Sequence, residues 1–198
     1  MVTIYVEGGG DESSLKTECR HAFHELFKKA GFANRMPKVI PKGRRVAAFD
    51  GFKAACRDAS TGAFVMLLVD SESIPKSSDA RAHLKEQDRW EMPAGALDDQ
   101  VQLMVACMET WLISDTEAMG KYFGKDFNMH SLPRFELEKQ PKIDVLEAIG
   151  RATRGARPKG KYGKARDSFK LLGQIDPEKL QKSCTWAKRF LDALNKYS

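Results

Sequence analysis

The sequence contains few cysteines, no long apolar run and only a small excess of one charge. Its four cysteines are scattered singly along 198 residues, without a CxxC pair. This spacing argues against a disulfide framework or a zinc ribbon and favours reduced thiols. No stretch approaches the ~20 apolar residues of a membrane span, and the acidic Glu7 comes too early for a signal peptide. We therefore expect a cytoplasmic protein with no membrane partner.

The charge balance permits a polyanionic partner without requiring one. Lys and Arg total 33 and Asp and Glu total 27, a formal net charge of +6. Many proteins with so small an excess bind no nucleic acid. The length of 198 residues and the hydrophobic content of 42% are sufficient for one domain with a sizeable core.

Apolar runs alternate with helical stripes along the chain, and this order predicts an α/β fold with a mostly parallel sheet and flanking helices. The run at 63–69 is apolar without alternation, as in a strand buried on both faces. The predicted strands are 3–6, 37–41, 63–69 and 102–107. The predicted helices are 15–30, 46–59, 81–89, 109–123, 142–152, 164–172, 177–182 and 185–196.

We expect two parts in this chain. Residues 1–123 form the α/β core, from which the polar stretch 71–100 makes an excursion. Residues 124–198 form a helical, basic C-terminal extension that packs on the core.

Acidic residues follow three of the four predicted strands. The carboxyl ends of parallel strands meet at one edge of a sheet, where ligands bind. Carboxylates gathered there repel one another and lose hydration, and a divalent cation removes both penalties. Carboxylate oxygens are the ligands that Mg²⁺ and Mn²⁺ prefer. The candidate ligands are Glu7 and Asp11 after the first strand, Asp70 and Glu72 after the third, and Glu109 and Asp115 after the fourth.

The alternative interpretation is that these acids cap helices or begin loops. Asp11 or Ser13 can cap the helix that follows Gly8-Gly9-Gly10. The glycines also permit a sharp turn that brings Asp11 back beside Glu7.

A basic stretch between residues 151 and 166 could follow a phosphate backbone, with no acid among its members. Tyr162 could stack on a base, and Lys164 could stabilise the charge of the scissile phosphate. A solvated surface loop is the alternative. The candidate nucleic-acid contacts are Lys42, Arg44, Arg45, Arg154, Arg157, Lys159, Lys161, Tyr162 and Lys164.

Two of these motifs resemble those of Toprim domains. Val6-Glu7-Gly8-Gly9-Gly10-Asp11 resembles the first-strand motif of the OLD-type nucleases, and Val69-Asp70-Ser71-Glu72 resembles the DxD motif of the third Toprim strand, with Glu in place of the final Asp. The whole chain is similar to a family of uncharacterised Toprim-like bacterial proteins. The resemblance implies a Toprim-like fold, a Mg²⁺ or Mn²⁺ site that acts on phosphodiesters, and an AAA-type ATPase partner in bacterial defence.

The resulting hypothesis is a metal-dependent nuclease or nuclease subunit. Glu7, Asp70 and Lys164 are its expected catalytic residues, with Glu7 as a possible base when one ion is bound. One rival is a non-catalytic protein that binds nucleic acid or an ATPase and keeps the fold. A second rival is a phosphatase or phosphotransferase of small nucleotides, which a deep enclosed pocket would favour.

Overall fold

The computed structural model describes residues 1–58 and 64–198, which contain a four-stranded parallel sheet in the order β2-β1-β3-β4. The strands are β1 (Val2–Val6), β2 (Lys38–Pro41), β3 (Phe64–Asp70) and β4 (Val101–Met104). Strand β1 lies between β2 and β3, with Val6 opposite Pro41 on one side and Leu68 on the other. All four carboxyl ends therefore lie at one edge of the sheet, as the α/β prediction requires.

Apolar residues on both faces of β1 and β3 hold the sheet between two layers. On one face, Ile4 and Leu68 belong to the larger core cluster. On the other face, Leu67 and Val69 pack with Phe52 and Leu84 in a smaller cluster. A strand buried on both faces needs no polar alternation, which explains the continuous apolar run of β3.

Helices cover both faces. The larger core includes residues of the first helix and of the C-terminal helices, and the smaller core includes residues of the second and third helices. The helices are α1 (Ser13–Phe27), α2 (Arg45–Arg57), α3 (Ala80–Asp88), α4 (Met108–Ile113), α5 (Thr116–Phe123), α6 (Lys142–Thr153), α7 (Lys164–Leu172), α8 (Pro177–Ser183) and α9 (Thr185–Tyr197).

Shorter elements connect these units. A π turn at Lys28–Phe32 follows α1 and contains Gly31 in a left-handed conformation. The two-residue strands β5 (Gly124–Lys125) and β6 (Arg157–Pro158) pair in an antiparallel manner. Short 3₁₀ turns occupy Asp98–Gln100, Met129–Ser131 and Leu137–Lys139.

The predicted fold class is confirmed, and two element predictions need correction. The predicted helix 109–123 is broken into α4 and α5, because Asp115 caps α5 by accepting a hydrogen bond from the Ala118 N–H. The predicted strand 102–107 ends at Met104. The predicted helix end at Ala59 and strand start at Ala63 lie outside the described residues. Within the described ranges, no helix combines the length and apolar character needed to cross a membrane.

Candidate metal centre

Three carboxylates meet at the carboxyl edge of the sheet. Glu7 follows β1, Asp70 ends β3 and Glu72 lies two residues further on. One oxygen from each lies within 4.8 Å of the others. The Asp70 N–H donates to Oε2 of Glu7 at 3.1 Å, which fixes the glutamate against the neighbouring strand. The pairing of two adjacent strands thus brings together acids that are far apart in sequence.

The backbone after β3 turns Glu72 toward this cluster. Glu72 has a φ of 65°, a left-handed conformation that costs ~1 kcal/mol for a residue with a Cβ. Its N–H donates to the Ala106 carbonyl at 2.9 Å. The buried His83 ring lies 2.8 Å from the Ser71 carbonyl through Nε2 and holds the preceding residue. These contacts offset the local strain and keep Glu72 close to Asp70.

Asp70 is the most buried of the three acids. Its exposed fraction is 3%, and its Oδ1 accepts a hydrogen bond from the Met108 N–H at 2.8 Å. Burial, followed by repulsion from Glu7, raises the pKa of Asp70 to about 7. Burial also raises the pKa of Glu7, although Arg45 opposes that shift. Keeping both Glu7 and Asp70 ionised therefore carries a free-energy cost.

Two lysines neutralise the cluster. Lys142, at the start of α6, places Nζ 2.8 Å from Oε1 of Glu72 and 3.5 Å from Oδ2 of Asp70. Lys164, at the start of α7, places Nζ 3.9 Å from Oδ2 of Asp70 and 3.3 Å from Oε1 of Glu109. Sequence reasoning missed Lys142, because the contact joins residues 70 positions apart and no local pattern marks it.

Glu109 lies behind Lys164 and outside the close carboxylate group. It is fully buried, and the Tyr162 hydroxyl donates to its Oε1 at 3.1 Å. Burial and the Glu109 charge raise the pKa of Tyr162, which keeps that hydroxyl protonated. Tyr162 is partly buried against the larger core, and its stacking on a base stays a prediction. Glu109, held by Tyr162, contacts the Lys164 ammonium and orients it.

Arg45 also has a different place from the one predicted. Its side chain is largely buried, with Nη1 3.5 Å from Oε2 of Glu7 and Nη2 2.6 Å from Oδ2 of Asp88. Nη1 also donates to the Asp70 carbonyl, and the guanidinium lies over the Trp90 ring. Arg45 therefore positions Glu7 by an ion pair, and its buried side chain is not free to contact a nucleic acid.

Two more predicted metal ligands, besides Glu109, lie outside the cluster. Asp11 is exposed and pairs with Arg44 at 3.1 Å, and Glu12 rather than Asp11 or Ser13 precedes α1 as its N-cap. Asp115 is 4% exposed and pairs with Lys179 at 2.9 Å. These contacts account for both charges without a metal. The glycine turn fails to return Asp11 to Glu7, and the break after α4 gives Asp115 a capping role.

The predicted nucleic-acid residues are divided between exposed positions and internal contacts. Arg154 and Lys161 are exposed. Arg157 pairs with Asp126 at 2.5 Å, and Lys159 lies over the Tyr122 ring. Lys42 lies over the Tyr5 ring. Only Lys164 of this predicted set reaches the carboxylate cluster while its side chain stays more than half exposed.

The family comparison matches almost the whole chain. A family model described as "Domain of unknown function (DUF4276)" matches residues 6–195. No curated protein and no solved structure matches the chain. The match includes Glu7, Asp70, Glu72 and both lysines, so the whole candidate centre lies within the family domain.

Proposed function

The chain belongs to the DUF4276 family, and we propose that it is a metal-dependent nuclease that hydrolyses the phosphodiester bonds of nucleic acid. The observation that carries this proposal is the convergence of Glu7, Asp70 and Glu72 within 4.8 Å. Two of these acids follow adjacent parallel strands in the arrangement that the Toprim resemblance implies. The relationship to OLD-type nucleases is part of the proposal.

The donor set fits Mg²⁺ or Mn²⁺. All three side chains offer oxygen ligands, which hard divalent cations prefer over nitrogen or sulfur. Burial and mutual repulsion raise the pKa of Asp70 to about 7, a cost that a bound cation would remove. When bound, such an ion would activate water and neutralise charge on the phosphate.

The remaining roles belong to the side chains of this chain. Glu7 is positioned as a proton acceptor, since Arg45 and the Asp70 N–H orient its carboxylate. Lys164 can place its ammonium against a phosphate oxygen while Glu109 holds it. Lys142 reduces the negative charge of Glu72, which lessens repulsion of an approaching polyanion.

A second candidate function is that of a non-catalytic protein that binds nucleic acid or an ATPase. The lysine contacts favour it, because Lys142, Lys164 and Arg45 already compensate the acids without an ion. An AAA-type ATPase partner and a cytoplasmic location stay predictions from the resemblance and the sequence. Metal binding separates the two candidates, because only the nuclease requires it.

The test compares the wild-type protein with Asp70→Asn and Asp115→Asn on single- and double-stranded DNA and RNA, with Mg²⁺ or Mn²⁺. Asp115→Asn is the matched control, since this acid is equally buried but lies outside the cluster. We expect Asp70→Asn to lower cleavage by ~100-fold or more and Asp115→Asn to retain it. Equal cleavage by all three proteins, or no metal binding by the wild type, would exclude the nuclease. A phosphatase of small nucleotides would instead release phosphate from nucleoside monophosphates and leave oligonucleotides intact.

A further inference from the structure

A cavity of about 420 Å³ opens beside the carboxylate cluster. Glu7, Asp70 and Lys164 line one side of it. Leu15, Met104, Met108, Ala165 and Phe169 supply apolar wall. A cavity of this size, mostly apolar with a few polar groups at one side, is typical of sites that enclose a small organic ligand. The cavity therefore continues the candidate centre away from the metal ligands.

Glycines line one wall of the cavity where two loops approach closely. Gly8 has a φ of 140°, and a Cβ built there would lie 3.2 Å from Cζ of Phe169. Gly43 also has a positive φ, and a Cβ on it would lie 2.2 Å from the Gly10 carbonyl oxygen. Side chains at Gly8 and Gly43 would thus crowd this wall, whereas glycine lets the two loops approach. Gly8, which the sequence placed in a turn, therefore also shapes the wall of this cavity.

Ser168 supplies a polar group that the protein itself does not use. The residue is 2% exposed and lines the cavity. Within the described residues the Ser168 hydroxyl makes no hydrogen bond, and its oxygen is not sealed off from the cavity. Because this hydroxyl borders the cavity without a protein partner, it is available to hydrogen-bond with the polar edge of a molecule inside. A hydrocarbon ligand would leave this hydroxyl unsatisfied.

We propose that this cavity receives the nucleobase of an unpaired nucleotide whose phosphate lies at the carboxylate cluster. A base has a flat face for the Phe169 ring and an edge that can hydrogen-bond with Ser168. A base within an intact duplex cannot enter such a cavity without leaving the stack. The substrate class is therefore single-stranded nucleic acid or a strand end. This inference rests on the proposed function for the placement of the phosphate.

The test measures binding of the four nucleoside 5′-monophosphates and of ribose 5-phosphate in the presence of Mg²⁺. At least one nucleotide should bind about 10- to 100-fold more tightly than ribose 5-phosphate, the gain expected from stacking. Ala165→Leu fills the cavity from an exposed helical position and should bring nucleotide affinity down to that of ribose 5-phosphate. Ala82→Leu, the same change on the exposed side of α3, should have no effect.

A second variant keeps the proposal falsifiable if the leucine disturbs the fold. Ser168→Ala removes only the hydroxyl and should weaken the preferred nucleotide by about 3- to 10-fold. If nucleotides bind no better than ribose 5-phosphate, or if Ala165→Leu and Ser168→Ala both leave the preference intact, the base site does not exist.

Cleavage of a strand built from abasic tetrahydrofuran units separates this inference from the proposed function. Metal-dependent cleavage of that strand without any nucleotide preference would overturn the base site and retain the nuclease. A nucleotide preference that responds to Ser168→Ala, with no cleavage of any strand, would retain the base site and overturn the nuclease.

Discussion

Replacing Asp70 by asparagine should stabilise the protein while removing a ligand of the proposed metal site. Asparagine keeps an oxygen that can accept the Met108 N–H, a hydrogen bond of 2.8 Å in the wild type. It also removes a charge that burial and Glu7 oppose. The variant therefore resembles the protonated form of Asp70 at every pH.

The size of the effect follows from the pKa. Asp70 shifts from 3.8 to about 7 on folding, and about three pKa units correspond to ~4 kcal/mol. This shift already includes the attraction of Lys142 and Lys164 for the carboxylate. The folded state holds a proton that the unfolded state has lost, so the free energy of unfolding falls as pH rises from about 4 to about 7. We expect Asp70→Asn to be about 2–4 kcal/mol more stable than wild type at about pH 8 and nearly equal at about pH 4.

The assay is urea denaturation at both pH values, with and without Mg²⁺. Added Mg²⁺ should raise the stability of the wild type by ~3 kcal/mol at a hundredfold excess over its Kd and leave Asp70→Asn unchanged. Asp115→Asn is a control for which the opposite sign is expected. Hydrogen bonds from Lys179 and from backbone N–H groups lower the pKa of Asp115 despite its burial. Asparagine at this position should therefore destabilise the protein. If Asp70→Asn is less stable than wild type at about pH 8, or if Mg²⁺ stabilises both equally, the reasoning about a strained carboxylate site is wrong.

Three further results are expected. Burial raises the pKa of Glu138 from 4.5 to about 7, although the Trp186 N–H donates a hydrogen bond to its carboxylate. The free energy of unfolding should therefore fall as pH rises from about 4.5 to about 7. Glu138→Gln should remove this part of the pH dependence, measured as urea midpoints. Tyr162→Phe should slow cleavage by about 10-fold and cost ~1–2 kcal/mol in urea denaturation, because buried Glu109 loses a hydrogen bond. Lys142→Gln should tighten Mg²⁺ binding by roughly 10-fold in calorimetry, since the ammonium competes for the same carboxylates; weaker binding would contradict that competition.

The parallel sheet and the central acids could be predicted because their signals are local. The apolar run of β3 and the acid at its end stand next to each other in the sequence, and parallel pairing then brings Glu7 and Asp70 to one edge. The sequence order of strands and helices was sufficient to predict that edge. Three of the acids proposed from it, Glu7, Asp70 and Glu72, lie in the cluster.

The remaining parts of the site could not be predicted from spacing. Asp115 follows a helical stripe that looks continuous in sequence, and only the break between α4 and α5 shows that it caps a helix. Arg45 belongs to a basic cluster in the sequence, but its side chain packs over Trp90 and pairs with Asp88, two residues from another segment. Ion pairs between distant residues produce no periodic pattern in the sequence. The sequence around a charged residue therefore does not show whether its side chain faces solvent or another charge.

A metal ion that bound the three carboxylates would have to displace cationic side chains that already contact them. Glu7, Asp70 and Glu72 are contacted by Arg45 and Lys142, and Lys164 connects Asp70 to a fourth acid behind it. Arg45 is anchored by a carboxylate away from the site, whereas each lysine ends a flexible four-carbon stem at the start of a helix. A divalent ion would therefore displace ammonium groups more readily than the guanidinium. If the chain is the nuclease proposed above, the displaced lysines would remain at the rim of the site and would be placed to contact a phosphate of the substrate.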